Sequence, residues 1–280
     1  MGTINRSTLE ARAGAVWCVV VSDPAALLYD DREGNRIGLL DVIAEGLDGG
    51  YEDRVPALRR LLARGEPGHR LDACEVLTAW GVRDGLLTVV EWAHDPDSVP
   101  WAGAPVSVNR FGFGDDAFAR LAGALQTAGD GRLSEVGAIL RTLATRELLV
   151  IHDRVFMDRS MPLLLGTDRR LAEDCRPEMS WAVDRGLAAA RAGSATFDLA
   201  TQVALLLGPL AMLDDAAAAA AAEVLLTEHP QHGRALREVA LAMSDGTGPA
   251  THAVLQRLAG WPSPSVQAEA ENWLRRREGA

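Results

Sequence analysis

The strongest constraint on this chain is a period. Apolar residues recur three or four positions apart along most of its length, and Pro or Gly interrupts them every dozen to twenty residues. In VPALRRLLA, Val55, Leu58, Leu61 and Leu62 share one helical face before GEPG breaks the pattern. HRLDACEVLTAW follows with Leu71, Cys74, Val76 and Leu77 as its stripe, then VRDGLLTVVEWAHD with Leu86, Val89, Val90 and Ala93. Such a chain builds short antiparallel helices joined by loops of a few residues.

The pattern returns towards the C-terminus. Asp214 and Asp215 open a run of seven alanines, Ala216 to Ala222, and place two carboxylates at a helix start, where the dipole is positive. That helix stops at Pro230. HGRALREVALAM, PATHAVLQRLAG and, after a WPSP turn, SVQAEAENWLRRR follow, at an offset of about thirty residues per helix pair. Two segments resist the scheme. Residues 22–36 are polar and acidic and read as a loop or short helix, and residues 147–165 read as a helix ending before Pro162, with a buried strand pair as the alternative.

The segments DACEVLTAW (72–80), DLATQVALL (198–206), GRALREVALAM (233–243) and PSVQAEAENWL (264–274) are alike in their small and aliphatic positions. Over residues 50–95 and 178–278 the chain resembles HEAT-like α-solenoid proteins, whose repeats pair two helices. The resemblance implies an all-α fold, with antiparallel helix pairs stacked as a solenoid or superhelical bundle, and it implies no activity. Residues 1–280 then form one extended helical-repeat domain, with residues 95–114 as a long internal loop.

Composition excludes several chemistries. The chain has no lysine, so a Schiff base, a phosphate-loop lysine and a Ser-Lys nucleophile are impossible. A net charge of −11 disfavours nucleic acid, which requires a basic face. Residues 1–53 carry ten acidic side chains against four arginines, a surface that steers a basic partner. The apolar run GAVWCVVV (14–21) is too short to span a bilayer and lacks a signal peptide's basic leader and cleavage site. The protein is therefore expected in the cytoplasm, away from membranes. Cys18, Cys74 and Cys175 are scattered through apolar patterns and read as buried thiols.

The motifs are sparse. GFGDDA (112–117) imitates a dinucleotide turn, but Asp115 and Asp116 put negative charge where pyrophosphate would sit, so the stretch reads as a helix start. The loop before it carries Trp101, Asn109, Arg110, Phe111 and Phe113, residue types common at interaction hot spots. Together with Trp80 and Trp92 these are the candidate binding residues; folding back into the core is the competing role. Asp-Arg pairs recur at 153–154, 158–159, 168–169 and 184–185. Ion pairing along helix faces, such as Arg154 with Asp158, is the expected role, and His152, Asp153 and Arg154 are the catalytic candidates should a catalytic site exist. His229 and His232 lack a third ligand nearby, and no cofactor or metal is expected.

These features favour a non-catalytic protein-binding module, such as an inhibitor or immunity protein presenting an acidic helical surface to a basic protein. The alternatives are a DNA-repair enzyme like the HEAT-like DNA glycosylases, none of whose motifs is matched residue by residue, and a small-molecule site around Trp80, Trp92, Trp101 and Phe111.

Overall fold

The computed structural model describes residues 23–103, 115–129 and 133–278. Among them the chain is all-α, with fifteen α-helices and an isolated bridge of Asp30 to Arg36. The helices are α1 (Pro24–Tyr29), α2 (Leu39–Leu47), α3 (Val55–Arg64), α4 (Pro67–Ala79), α5 (Arg83–His94), α6 (Ala117–Ala128), α7 (Glu135–Val150) and α8 (Ser160–Thr167). Then come α9 (Arg169–Asp174), α10 (Arg176–Ala192), α11 (Leu199–Leu213), α12 (Asp215–Glu228), α13 (Gly233–Asp245), α14 (Pro249–Ala259) and α15 (Pro264–Glu278).

Local chemistry sets the boundaries. Asp23, Ser134, Asp168, Asp198 and Asp214 each accept a backbone N–H from the first turn of the helix they precede. Proline occupies the first or second position of α1, α3, α4, α10 and α14, where its missing N–H costs nothing. Gly193 closes α10 in the left-handed region at φ 62°. Asp215 reaches further, accepting from the backbone N–H groups of Gly248 (3.1 Å) and Ala250 (2.8 Å), so it caps α14 across the fold.

The helices pack in two rows, an arrangement compatible with a helical-repeat fold. In the first row α2 touches α4, and contact passes on through α6, α8, α11 and α13 to α15. In the second it passes from α5 through α7, α10 and α12 to α14. Across the rows, α4 pairs with α5, α6 with α7, α10 with α11, α11 with α12, and α13 with α14. One continuous apolar cluster, from Leu27 to Ala270, fills the space between. Fully burying a leucine such as Leu77 or Leu148 contributes roughly 1.5–3 kcal/mol.

Gly85 allows α4 and α5 to meet closely. A Cβ there would lie 2.5 Å from the Thr78 nitrogen and 2.7 Å from the Leu77 carbonyl carbon, both backbone atoms that cannot swing aside. Gly85→Ala is therefore expected to lower stability by about 1–3 kcal/mol. The measurement is a lower urea midpoint at unchanged slope, and an unshifted midpoint would contradict the close approach.

The two irregular segments take forms within those expected, a short helix with a turn and a helix that ends before Pro162. In residues 22–36, α1 is followed by a turn that brings Asp30 beside Arg36. In residues 147–165 the helix ends at Val150, well before Pro162, and Pro162 sits in the first turn of α8 rather than breaking a helix. That position tolerates proline because the first-turn N–H groups have no intrahelical acceptor.

Candidate functional site

Two hollows open on the first row, on either side of one turn. The turn, residues 151–159, is pinned from below by Gln202 of α11, which is 2% exposed. Its amide donates to the carbonyls of His152 (2.7 Å) and Val155 (3.0 Å), and its Oε1 accepts from the Met157 N–H (2.8 Å). Asp158 adopts a left-handed φ of 45°, which aspartate tolerates better than most residues. Phe156, Asp158 and Ser160 face the first hollow; Arg159, Pro162 and Leu163 face the second.

The first hollow, about 520 Å³, lies between α2, α4 and α6. Its inner wall is an ionic network. Asp72 and Glu75, one turn apart on α4, are both buried. Arg120 of α6 binds Asp72 at 2.5 Å and also pairs with Glu75, while the Tyr29 hydroxyl of α1 donates to Asp72. Burial raises the Glu75 pKa, with Arg120 pulling against it. Burial likewise opposes the charge on Arg120, but Glu75 and Asp72 outweigh it and hold the guanidinium ionised. Burial and the bond to Asp72 push the Tyr29 phenol up to about 12. The buried Oδ1 of Asp116 has no hydrogen-bond partner, and Leu40 stands 72% exposed at the rim. At the start of α6 the helix cap comes from Asp115, which accepts from the Ala117 N–H at 3.0 Å; Asp116 makes no cap bond.

The second hollow, about 320 Å³, lies between α8, α11 and α13. Arg159 closes one end by pairing with Glu238 of α13 at 2.5 Å. Asp245, two turns further along α13, stands at the other.

The candidate residues are dispersed. Trp92 and Trp101 are buried edge to face, centroids 4.9 Å apart, and Phe118 packs on Trp101. Trp80 donates to the Ile43 carbonyl at 3.1 Å and packs on Tyr51. Trp101 also lines a further hollow, about 410 Å³, together with Phe156, Phe197 and Asp115. Asn109, Arg110, Phe111 and Phe113, with most of the 95–114 loop, lie outside the described residues, as do Trp17 and Cys18.

His152, Asp153 and Arg154 point to three different places. His152 is fully buried with neither ring nitrogen bonded, and burial lowers its pKa to about 4. Asp153 pairs with Arg185 and Arg154 with Asp97, each at 2.7 Å. The local pair of Arg154 with Asp158 does not form, because this stretch is a turn rather than a helix. Asp168 pairs with Arg141 of α7 at 2.6 Å. The Asp-Arg repeats thus tie separate elements together. His232 caps α13 and pairs with Asp198, and among the described residues no three His, Cys, Asp or Glu side chains are placed to hold a metal.

Comparison with protein-family models, curated proteins and solved structures finds no match. The geometry alone therefore carries the functional argument. No helix among the described residues is long and apolar enough to cross a membrane.

Proposed function

We propose that the protein is a HEAT-like helical-repeat binding module that takes a basic segment of a partner protein along the first helix row. An inhibitor or immunity protein acting on a basic target is the concrete form of this reading. The supporting observation is the charge of the two hollows. Five carboxylates line them (Glu75, Asp116, Asp158, Glu238, Asp245) against two arginines, Arg120 and Arg159, both engaged by carboxylates. Exposed Leu40 and Leu163 stand beside those carboxylates as apolar contact points. Nucleic-acid phosphate would meet repulsion here, which weighs against the DNA-repair reading.

The test is selection of short peptides from a displayed random library against the full chain. Enriched sequences are expected to combine Arg or Lys with Leu, Met or Phe, and their affinity to fall as salt rises. Asp158→Asn keeps a residue that tolerates positive φ and removes one charge, and is expected to weaken binding roughly threefold or more. A selection without basic enrichment, or an affinity indifferent to salt, would count decisively against the module.

A further inference from the structure

The helix α11, LATQVALLLGPLAML, contains no charged residue, and thirteen consecutive positions, Leu199 to Ala211, are buried. A helix apolar on every side belongs inside a protein. One strip of α11, Leu205, Gly208, Pro209 and Met212, forms the floor of the second hollow, between α8 and α13. The spacing of those positions is that of a single helical face. Gly208 and the flat ring of Pro209 lower this floor. A Cβ on Gly208 would come within 2.7 Å of the Asp245 carboxylate. Pro209, lacking an N–H, also leaves the Leu205 carbonyl without its helical donor.

The walls repeat at the same period. On α8, Leu163 and Gly166 face inward, and Leu163 is 51% exposed. On α13, Glu238, Leu241 and Asp245 span two turns, roughly 10 Å. The two ends differ in charge. Glu238 is neutralised by Arg159, whereas Asp245 makes no hydrogen bond. Burial raises the Asp245 pKa, and the nearby Arg277 pulls against that shift while donating to the Met243 and Gly246 carbonyls. A recess with an apolar floor two turns long and an unpaired carboxylate at one end complements one chemistry, apolar side chains at helical spacing followed by a cation.

We propose that this groove seats an amphipathic helical segment of a partner protein, its apolar residues over Gly208 and Pro209 and an arginine or lysine against Asp245. The proposal rests on the binding-module reading and assigns the place and pattern of the contact.

The probe is a fluorescent helical peptide of about 15 residues with two leucines one turn apart and an arginine a further turn along; a twin carries glutamate in place of the arginine. Gly166→Leu is the blocking variant. A Cβ on Gly166 meets nothing within 4 Å, so the side chain grows into the hollow without strain, and leucine favours helix more than glycine does. Gly166→Leu is expected to weaken the arginine peptide about tenfold or more with the melting temperature kept. Asp245→Lys is expected to weaken the arginine peptide and strengthen the glutamate twin, an exchange of preference that a folding defect cannot produce. Unchanged binding in Gly166→Leu, alongside weakened binding in Asp158→Asn, overturns the groove and leaves the module standing. Failure of the wild-type protein to bind any basic peptide overturns the module itself.

Discussion

Arg120→Met is expected to lower stability by about 3–5 kcal/mol at neutral pH. Methionine keeps most of the apolar stem and removes the cation that Asp72 and Glu75 share, with side-chain exposures of 12% and 7%. Two like charges one turn apart in a buried wall cannot both remain ionised, so Glu75, already shifted upwards by burial, must take up a proton. The sign follows from that shift. A carboxyl whose folded pKa lies above its unfolded value contributes stability below the unfolded pKa and loses it as pH rises through the folded pKa. The deficit of the variant should accordingly shrink as pH falls from 7 towards 5. Glu75→Gln in the same background should restore part of the loss, since it removes the like-charge repulsion. Urea midpoints at both pH values measure this. If Arg120→Met costs no more than Arg60→Met, a change at an exposed arginine, the network contributes nothing beyond packing.

The individual helices were legible because periodicity reports which face each helix buries. Leu58 and Leu62 on α3, Leu86, Val89 and Ala93 on α5, and Leu236 and Val239 on α13 are buried where the spacing places them. The two rows themselves, and the position where α7 ends, depend on contacts between residues far apart in sequence. Pro162 pointed to a helix break but gave no sign of whether it stood at an end or a beginning, since proline suits both sides of a boundary.

The hollows were largely hidden for the same reason. Asp72 and Glu75 lie outside the apolar stripe of α4, and their partners Arg120, 45 residues beyond Glu75, and Tyr29 come from distant parts of the sequence. The Asp-Arg dipeptides invited local pairing, yet Asp153, Arg154, Arg159, Asp168 and Arg185 pair with residues far away in sequence, while Arg169 pairs with Glu173 one turn on. A sequence signal for the second hollow did exist. The fifteen-residue uncharged helix α11 carries an interior Gly-Pro, and those two residues line the hollow.

The second large effect is expected in acid. His152 is wholly enclosed, and neither ring nitrogen has a partner, so the folded protein holds it neutral with a pKa near 4 against an ordinary 6.5. The carboxylate of Asp153 favours protonation but is outweighed by burial and is itself engaged by Arg185. As pH falls below 6.5 the unfolded chain takes up a proton that the folded chain refuses. Stability from this group is therefore complete above about pH 6.5, declines through the interval and levels off below about 4. The shift corresponds to about 3 kcal/mol. His152→Leu should remove that slope, and at neutral pH it should be neutral or stabilising, because it replaces two unbonded polar atoms with a side chain suited to the site. The comparison is the difference between variant and wild-type urea midpoints at pH 7.5 and pH 4.5, which cancels the carboxylates common to both. Equal pH slopes in the two proteins would mean that the imidazole is solvated in the folded state.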